Sequence, residues 1–434
     1  EHLRPTSANG AGKGSGIIAP FPPTDQMDLY SIWPSAAVIA LCLALVWPKR
    51  LWRFLDDPPS GQGQRYVTVD GLRGFLALAV VLHHSVISYG FHQTGEWKLP
   101  PSSFYSIIGQ VGVSIFFMIT AFLFWGRLLD QGKRLDWFAL YVNRFLRIAP
   151  LYWVVVALML LVVAIKTGFT LAVPPSELVK QVFQWALPAI VRGMPPVNGY
   201  QQTFTITAGV TWTLYYEWMF YFSLPFLAIA AIKRSPLAFV PACIWIVFVM
   251  PETLSSAFAR NLVAMFVMGM VAASLVRRSP GFRGDSVLKS AIAVALLAFP
   301  LLTRSTAYEW VSILSLGAFF ILVSSGASLF GLLASRSAVR LGSVSYGIYL
   351  LQGIVITVLH SPRVLGAFAS KGPEQFWLTT IAVGLVLVCV AAASYHFVER
   401  PCIRLGKKIG KAPESARQTH VEMGDGTPSD KARC

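Results

Sequence analysis

The chain has 434 residues, of which 55% are hydrophobic and only 13% charged, with a formal net charge of +16. About a quarter of an ordinary soluble chain is charged, so this balance excludes a water-facing globule and indicates an all-α polytopic membrane protein. The basic residues fall in the gaps between apolar runs rather than on one domain, which argues against nucleic acid as a partner and for a topology signal at a membrane surface.

In chain order, residues 1–30 are rich in Gly, Pro, Ser and Ala without periodicity and read as a flexible tail. The stretch 31–65 holds a short apolar run, Ile32–Pro48, followed by Lys49, Arg50 and Arg53. A cleaved leader carries its charges ahead of the apolar run, so this reads as an extra transmembrane helix with a cytoplasmic linker. Ten stronger apolar segments follow at 69–91, 104–126, 148–165, 210–232, 237–251, 260–276, 287–303, 310–332, 343–361 and 375–398. An eleventh candidate, 178–192, is short for a span. If it does not cross, 26 of the 36 Lys and Arg fall on the cytoplasmic side, and past residue 232 the split is 16 inside to 4 outside. A full crossing there inverts that ratio, so it is expected as an interfacial or re-entrant helix within a long outer loop, 166–209. The main transmembrane domain is therefore placed at 66–404, with 405–434 a disordered, basic, cytoplasmic tail. Neither end reads as a water-soluble catalytic domain, so any chemistry is expected within the membrane region. The five cysteines form no CxxC, and three lie in apolar segments, so no disulfide framework or thiolate metal site is indicated.

Polar groups left in apolar segments are costly and mark candidate functional positions. Arg73 and His84 are eleven residues apart in the first strong segment, which puts them on one helix face about 16 Å apart along the axis. A packing histidine is the plainer reading of His84; Arg73 on its face favours function. Arg144 and Arg147, at the inner mouth of the third segment, are three apart and can form a fork for phosphate, or serve only as a positive flank. Glu217 is the one carboxylate well inside a span. Counted from the outer ends, His84 and Glu217 both fall about 10 Å deep, which suits a base and its orienting partner. Ser345, Tyr346, Tyr349 and Gln352 of the ninth segment, and Ser114 and Thr120 of the second, could line a polar passage or bond helix to helix. His360 and His396, near span ends, read as interfacial. No HExxH, G-x-S-x-G or complete phosphate-loop motif is present, and no metal is expected.

Six ordered motifs then resemble the acyltransferase-3 family of membrane O-acyltransferases: Asp70-Gly-Leu-Arg73 with His84; Gly112-Val-Ser-Ile-Phe-Phe; Arg144-x-x-Arg147-Ile-x-Pro150; Trp212-x-Leu-x-x-Glu217; Ser345-Tyr-x-x-Tyr349; and Ser394-Tyr-x-Phe-Val-Glu399-Arg-Pro401. The resemblance runs from about Tyr66 to Arg404. It implies a ten-helix domain that uses acyl-coenzyme A to modify sugars, typically in bacterial surface polysaccharides, with Ile32–Pro48 as an additional helix. The family's arginine–histidine motif falls on Arg73 and His84, its paired arginines on Arg144 and Arg147, and its glutamate on Glu217. Two positions depart from the pattern: Thr120-Ala121 stands where Ser-Gly is usual, and Gln352 where a histidine is common.

The expectation is O-acyl transfer, chiefly acetyl from acetyl-CoA, to a hydroxyl of a cell-surface or lipid-linked glycan such as lipopolysaccharide, in the bacterial inner membrane with the C-terminus cytoplasmic. Arg73, Arg144 and Arg147 are expected to bind the CoA phosphates, His84 to act as base or acyl carrier, and Glu217 to fix its tautomer. Many members carry a fused extracytoplasmic domain, so this chain is expected to act alone or with a separate extracytoplasmic partner. A macrolide or other small-molecule acceptor, or a transporter or flippase with Arg73, His84 and Glu217 as a relay, are the rival readings.

Overall fold

A computed structural model describes residues 28–56, 66–132, 135–190, 193–232 and 256–410. The segment expected at 237–251, most of the N-terminal stretch and the chain after 410 lie outside the described residues. The helices are α1 (Trp33–Leu45), α2 (Val67–Thr94), α3 (Ser103–Gln131), α4 (Trp137–Lys166), α5 (Pro175–Ala186), α6 (Trp212–Ile232), α7 (Ala257–Arg278), α8 (Val287–Thr303), α9 (Trp310–Ser324), α10 (Arg336–Ser343), α11 (Ser345–Leu359), α12 (Pro373–Ser394) and α13 (Arg400–Ile409). Local chemistry sets many of the starts. Ser102, Asp136, Ser256, Ser286 and Ser335 each stand one residue before a helix and accept the backbone N–H three residues on, which satisfies an orphan donor of the first turn.

Among the described residues, five helical units are long and apolar enough to cross a membrane, and seven if each of two bent pairs counts as one span. The bends are 77° after α1 and 66° between α10 and α11. This is a multi-pass membrane protein, all-α among the described residues apart from one isolated bridge, Val197 to Tyr200. α2 packs on α3, α10 and α11; α3 packs on α6 and α7; α4 packs on α11 and α13. Small residues permit the closest approaches: a Cβ at Gly269 of α7 would collide with the Met118 carbonyl of α3, and one at Gly342 of α10 with the Asp70 carbonyl of α2.

The extra helix is clamped to this bundle by Arg340 of α10, 1% exposed. Its Nε and Nη2 donate to the two Asp56 oxygens at 2.7 and 2.6 Å, and its Nη1 donates to the carbonyls of Val46 and Trp47 at 2.6 and 2.9 Å. One placement differs from expectation: α13 runs past residue 404, so 405–409 are helical rather than disordered, as the helix packs on α4. The segment expected at 178–192 as a non-spanning helix is helical over Pro175–Ala186; twelve residues rise about 18 Å, short of the roughly 30 Å of hydrocarbon.

Candidate active site

Between α2, α3, α4, α6 and α11 lies a cavity of about 150 Å³, lined by Arg73, Arg144, Arg147 and Glu217 together with Thr120, Ser345, Tyr346 and Tyr349. One turn-and-a-bit of α4 carries both paired arginines because residues three apart share a face. Arg144 lies over the Phe124 ring, 4.4 Å from its centroid, and among the described residues its buried Nε has no hydrogen-bond partner. Glu217 takes a 2.5 Å hydrogen bond from the Tyr221 hydroxyl and a 3.1 Å bond from Thr120 Oγ1, both on the same carboxylate oxygen. Three guanidiniums against one carboxylate leave the cavity wall cationic. Such a wall suits an anion with several oxygens, since guanidinium forks bond phosphate in two directions at once.

His84 is placed by a different partner from the one expected. Gln352 Nε2 donates to the Tyr349 carbonyl at 2.8 Å, which leaves Gln352 Oε1 facing His84 Nδ1 at 3.2 Å. An amide oxygen only accepts, so Nδ1 carries the proton and Nε2 keeps the lone pair. The ring stacks on Trp97 at 6.2 Å and meets the His83 ring edge-on at 4.9 Å. His83 itself is held by a 2.5 Å contact from Nδ1 to the Tyr105 carbonyl.

Glu217 does not orient His84, and the two are not at one depth. Counting from the end of α6 failed because α6 begins inside the bundle. The chain before it descends along α11: Thr357 Oγ1 donates to the Ile206 carbonyl at 3.5 Å, a Cβ at Gly353 would strike the Thr207 backbone, and Thr213 Oγ1 meets the Tyr349 hydroxyl at 3.0 Å. Glu217 is thereby carried to the level of the arginines. The cavity reaches Tyr349 but not Gln352 or His84; it stops about one turn of α11 short of them.

Of the other expected lining residues, Ser345, Tyr346 and Tyr349 are at the cavity, each also tied to protein. Ser345 Oγ donates to the Gly342 carbonyl, the Tyr346 hydroxyl to the Ile148 carbonyl, both at 2.8 Å. Ser114 is not at the cavity: it is fully buried and donates back to the Gln110 carbonyl at 2.7 Å, the ordinary way for a serine to settle inside a helix. Gln352 is an orienting residue rather than a lining one. His360 is buried, with Nδ1 at 3.0 Å from the Ser88 hydroxyl.

Sequence reasoning assigned no role to Glu399. It is 2% exposed, ends the π-helical turn Tyr395–Glu399 between α12 and α13, and has one oxygen without a partner among the described residues. Arg147 and Arg73 are the cations whose fields act on it. Insertions of this kind in a helix recur at functional sites. The available signal was its place in the Ser394–Pro401 motif at the end of an apolar span, where a carboxylate reads as a flank until the fold brings it behind the arginines. Among the described residues no three His, Cys, Asp or Glu side chains form a group that could hold a metal.

The fold and the cavity together define a helical membrane protein with a cationic pocket in its interior. A family model described as an acyltransferase domain, that of the acyltransferase-3 family, matches residues 66–396, and the chain belongs to that family: it is a membrane acyltransferase. No curated protein and no solved structure matches the chain.

Proposed function

We propose that this acyltransferase moves an acyl group, acetyl as the leading case, from cytosolic acyl-CoA to a sugar hydroxyl of a cell-surface or lipid-linked glycan. The observation that carries this reading is the convergence of Arg73, Arg144 and Arg147 on one interior cavity. These three residues bind the phosphates of the donor from the cytoplasmic side of a bacterial inner membrane, the side that also holds the C-terminus. The pantetheine arm then extends past Tyr349 towards His84. His84 Nε2 takes the proton of the acceptor hydroxyl as its oxygen attacks the thioester carbonyl; the carbon–sulfur bond breaks, and the CoA sulfur leaves as thiolate and is protonated by the imidazolium. Gln352 holds the tautomer that this step needs. Glu217, bonded to Tyr221 and Thr120, balances the arginine cluster.

Transfer of label from radiolabelled acetyl-CoA to membrane glycans tests the reading. His84→Ala is expected to abolish transfer while leaving CoA binding intact; near-normal transfer by that variant sinks the assignment. Loss of acetyl signals from surface-glycan NMR spectra on deleting the gene identifies the acceptor class.

A further inference from the structure

A second cavity, of about 260 Å³, lies on the reverse face of α6. Thr213, Leu214, Glu217 and Tyr221 of α6 face the cationic cavity, whereas Thr211, Trp212, Tyr215 and Tyr216 face this one. Its opposite wall includes Leu187, Ala189, Gly193 and Met194, which lie outside the helices after α5. Backbone so placed is tolerated in a membrane protein only where protein groups satisfy it or where it lines a cavity, and both hold here. Trp218 donates to the Pro188 carbonyl at 2.8 Å, and just before it Tyr152 and Trp153 donate to the last carbonyls of α5, those of Trp185 and Ala186, at 2.9 and 2.8 Å. Ala189 is held at φ +52°, a left-handed conformation that a residue with a Cβ rarely adopts. Strain of that kind is retained where the surroundings impose it and clusters at ligand sites.

The lining states the chemistry of the occupant. Of the twelve described residues around the cavity, none is charged and six are aromatic: Tyr152, Trp185, Trp212, Tyr215, Tyr216 and Phe258. A diphosphate, a uronic acid or an amino sugar in its charged form finds no counter-ion among the described residues. A hydrocarbon chain wants aliphatic walls, and among the described residues only Leu187, Ala189 and Met194 supply them. Flat rings carrying hydroxyls, with the amide of Gln184 at the rim, suit a neutral pyranose, which offers C–H faces to aromatics and hydroxyls to polar tips. A cavity of about 150 Å³ accepts a six-membered ring, so the volume suffices. Trp212 also packs edge-on against Phe117 at 6.4 Å, and Phe117 lines the cationic cavity; one aromatic wall thus separates the two spaces.

We infer that this second cavity is a binding site for a neutral hexopyranose unit of the acceptor glycan. The identification of the sugar as acceptor rests on the function proposed above; the existence of the site does not. The test uses the full chain in lipid nanodiscs and saturation-transfer NMR with the methyl glycosides of glucose, galactose, mannose, rhamnose and N-acetylglucosamine. At least one glycoside is expected to give ring-proton transfer that weakens about tenfold in affinity in Tyr215→Ala, the loss of one stacking face, and measurably in Gln184→Ala, a rim variant that leaves the buried wall intact. CoA binding to the same preparations is expected to be unchanged in both. No glycoside signal in the parent protein, or a signal that Tyr215→Ala leaves as strong as in the parent, overturns the inference. So does displacement of the sugar by farnesol with its own Tyr215-dependent signal, which assigns the cavity to an isoprenoid chain. If CoA fails to bind the parent protein while a sugar binds as described, the donor reading falls and the saccharide site stands.

Discussion

Gln352 and His84 are 268 residues apart in sequence, yet the amide oxygen of one faces Nδ1 of the other at 3.2 Å. The Gln352 amide cannot turn over without losing its bond to the Tyr349 carbonyl, so its orientation, and with it the imidazole tautomer, is fixed from within α11. Gln352→Leu removes the acceptor while keeping similar bulk. The expected outcome is a fall in kcat of about 10- to 100-fold, with KM for acyl-CoA little changed, because the free base nitrogen is no longer held in one tautomer. Gln352→His, which can accept from the same nitrogen, should recover most of the rate. A Leu variant with normal kcat would show that the tautomer is set elsewhere.

Arg144 and Arg147 are separable from the chemistry. Lysine keeps the charge but loses the planar fork, so Arg144→Lys and Arg147→Lys should each raise KM for acyl-CoA by roughly tenfold and leave kcat close to that of the parent. Initial rates over a range of acyl-CoA concentrations decide the matter. An effect confined to kcat would mean that these guanidiniums do not hold phosphate.

The longer helices were legible because each is written locally as an apolar run, with Ser102, Asp136, Ser256 or Ser286 at the cap position, whereas α10 and α13 are short and polar and were not. The pairing of Arg144 with Arg147 was legible for the same reason, since a spacing of three fixes a common face. Partnership across helices was not. Thr120 and Gln352, the two departures from the family pattern, are the very residues that bond Glu217 and His84, and periodicity gives a side chain's face without naming what meets it. The depth of Glu217 was misjudged because span-end counting assumes a helix that starts at the surface, whereas residues 206–213 reach into the bundle beside α11 before α6 is under way.

Glu399 stands behind the arginines, not among the residues that line their cavity. Its action on Arg147 and Arg73 is through the field, and one of its oxygens has no partner among the described residues. Removing that negative charge without changing shape leaves the guanidiniums more attractive to a polyanion. Glu399→Gln is therefore expected to lower KM for acyl-CoA by roughly two- to fivefold and to steepen its dependence on salt. A raised KM would assign Glu399 instead to holding the arginines in position.

The clamp on the extra helix makes a stability prediction with a definite pH window. The hydrogen bond from Arg340 holds the Asp56 carboxyl below its usual value. A carboxyl depressed in the folded state stabilises it fully above the unfolded-state value, about 3.9, and ceases to as pH falls through the lower folded-state value. The Arg340 side chain is 1% exposed and that of Asp56 34%, so the pair lies between a buried bridge and a surface one. Breaking it should cost about 1–3 kcal/mol, less than a fully buried pair because water still reaches the carboxylate. In nanodiscs, Asp56→Asn should melt below the parent protein at neutral pH, and the gap should narrow as the buffer is taken below about pH 4. Arg340→Met should cost more than Asp56→Asn, since it also leaves the Val46 and Trp47 carbonyls without their bonds from Nη1. If the parent and Asp56→Asn melt together at neutral pH, the two carbonyl bonds of Nη1 hold the clamp without the ion pair.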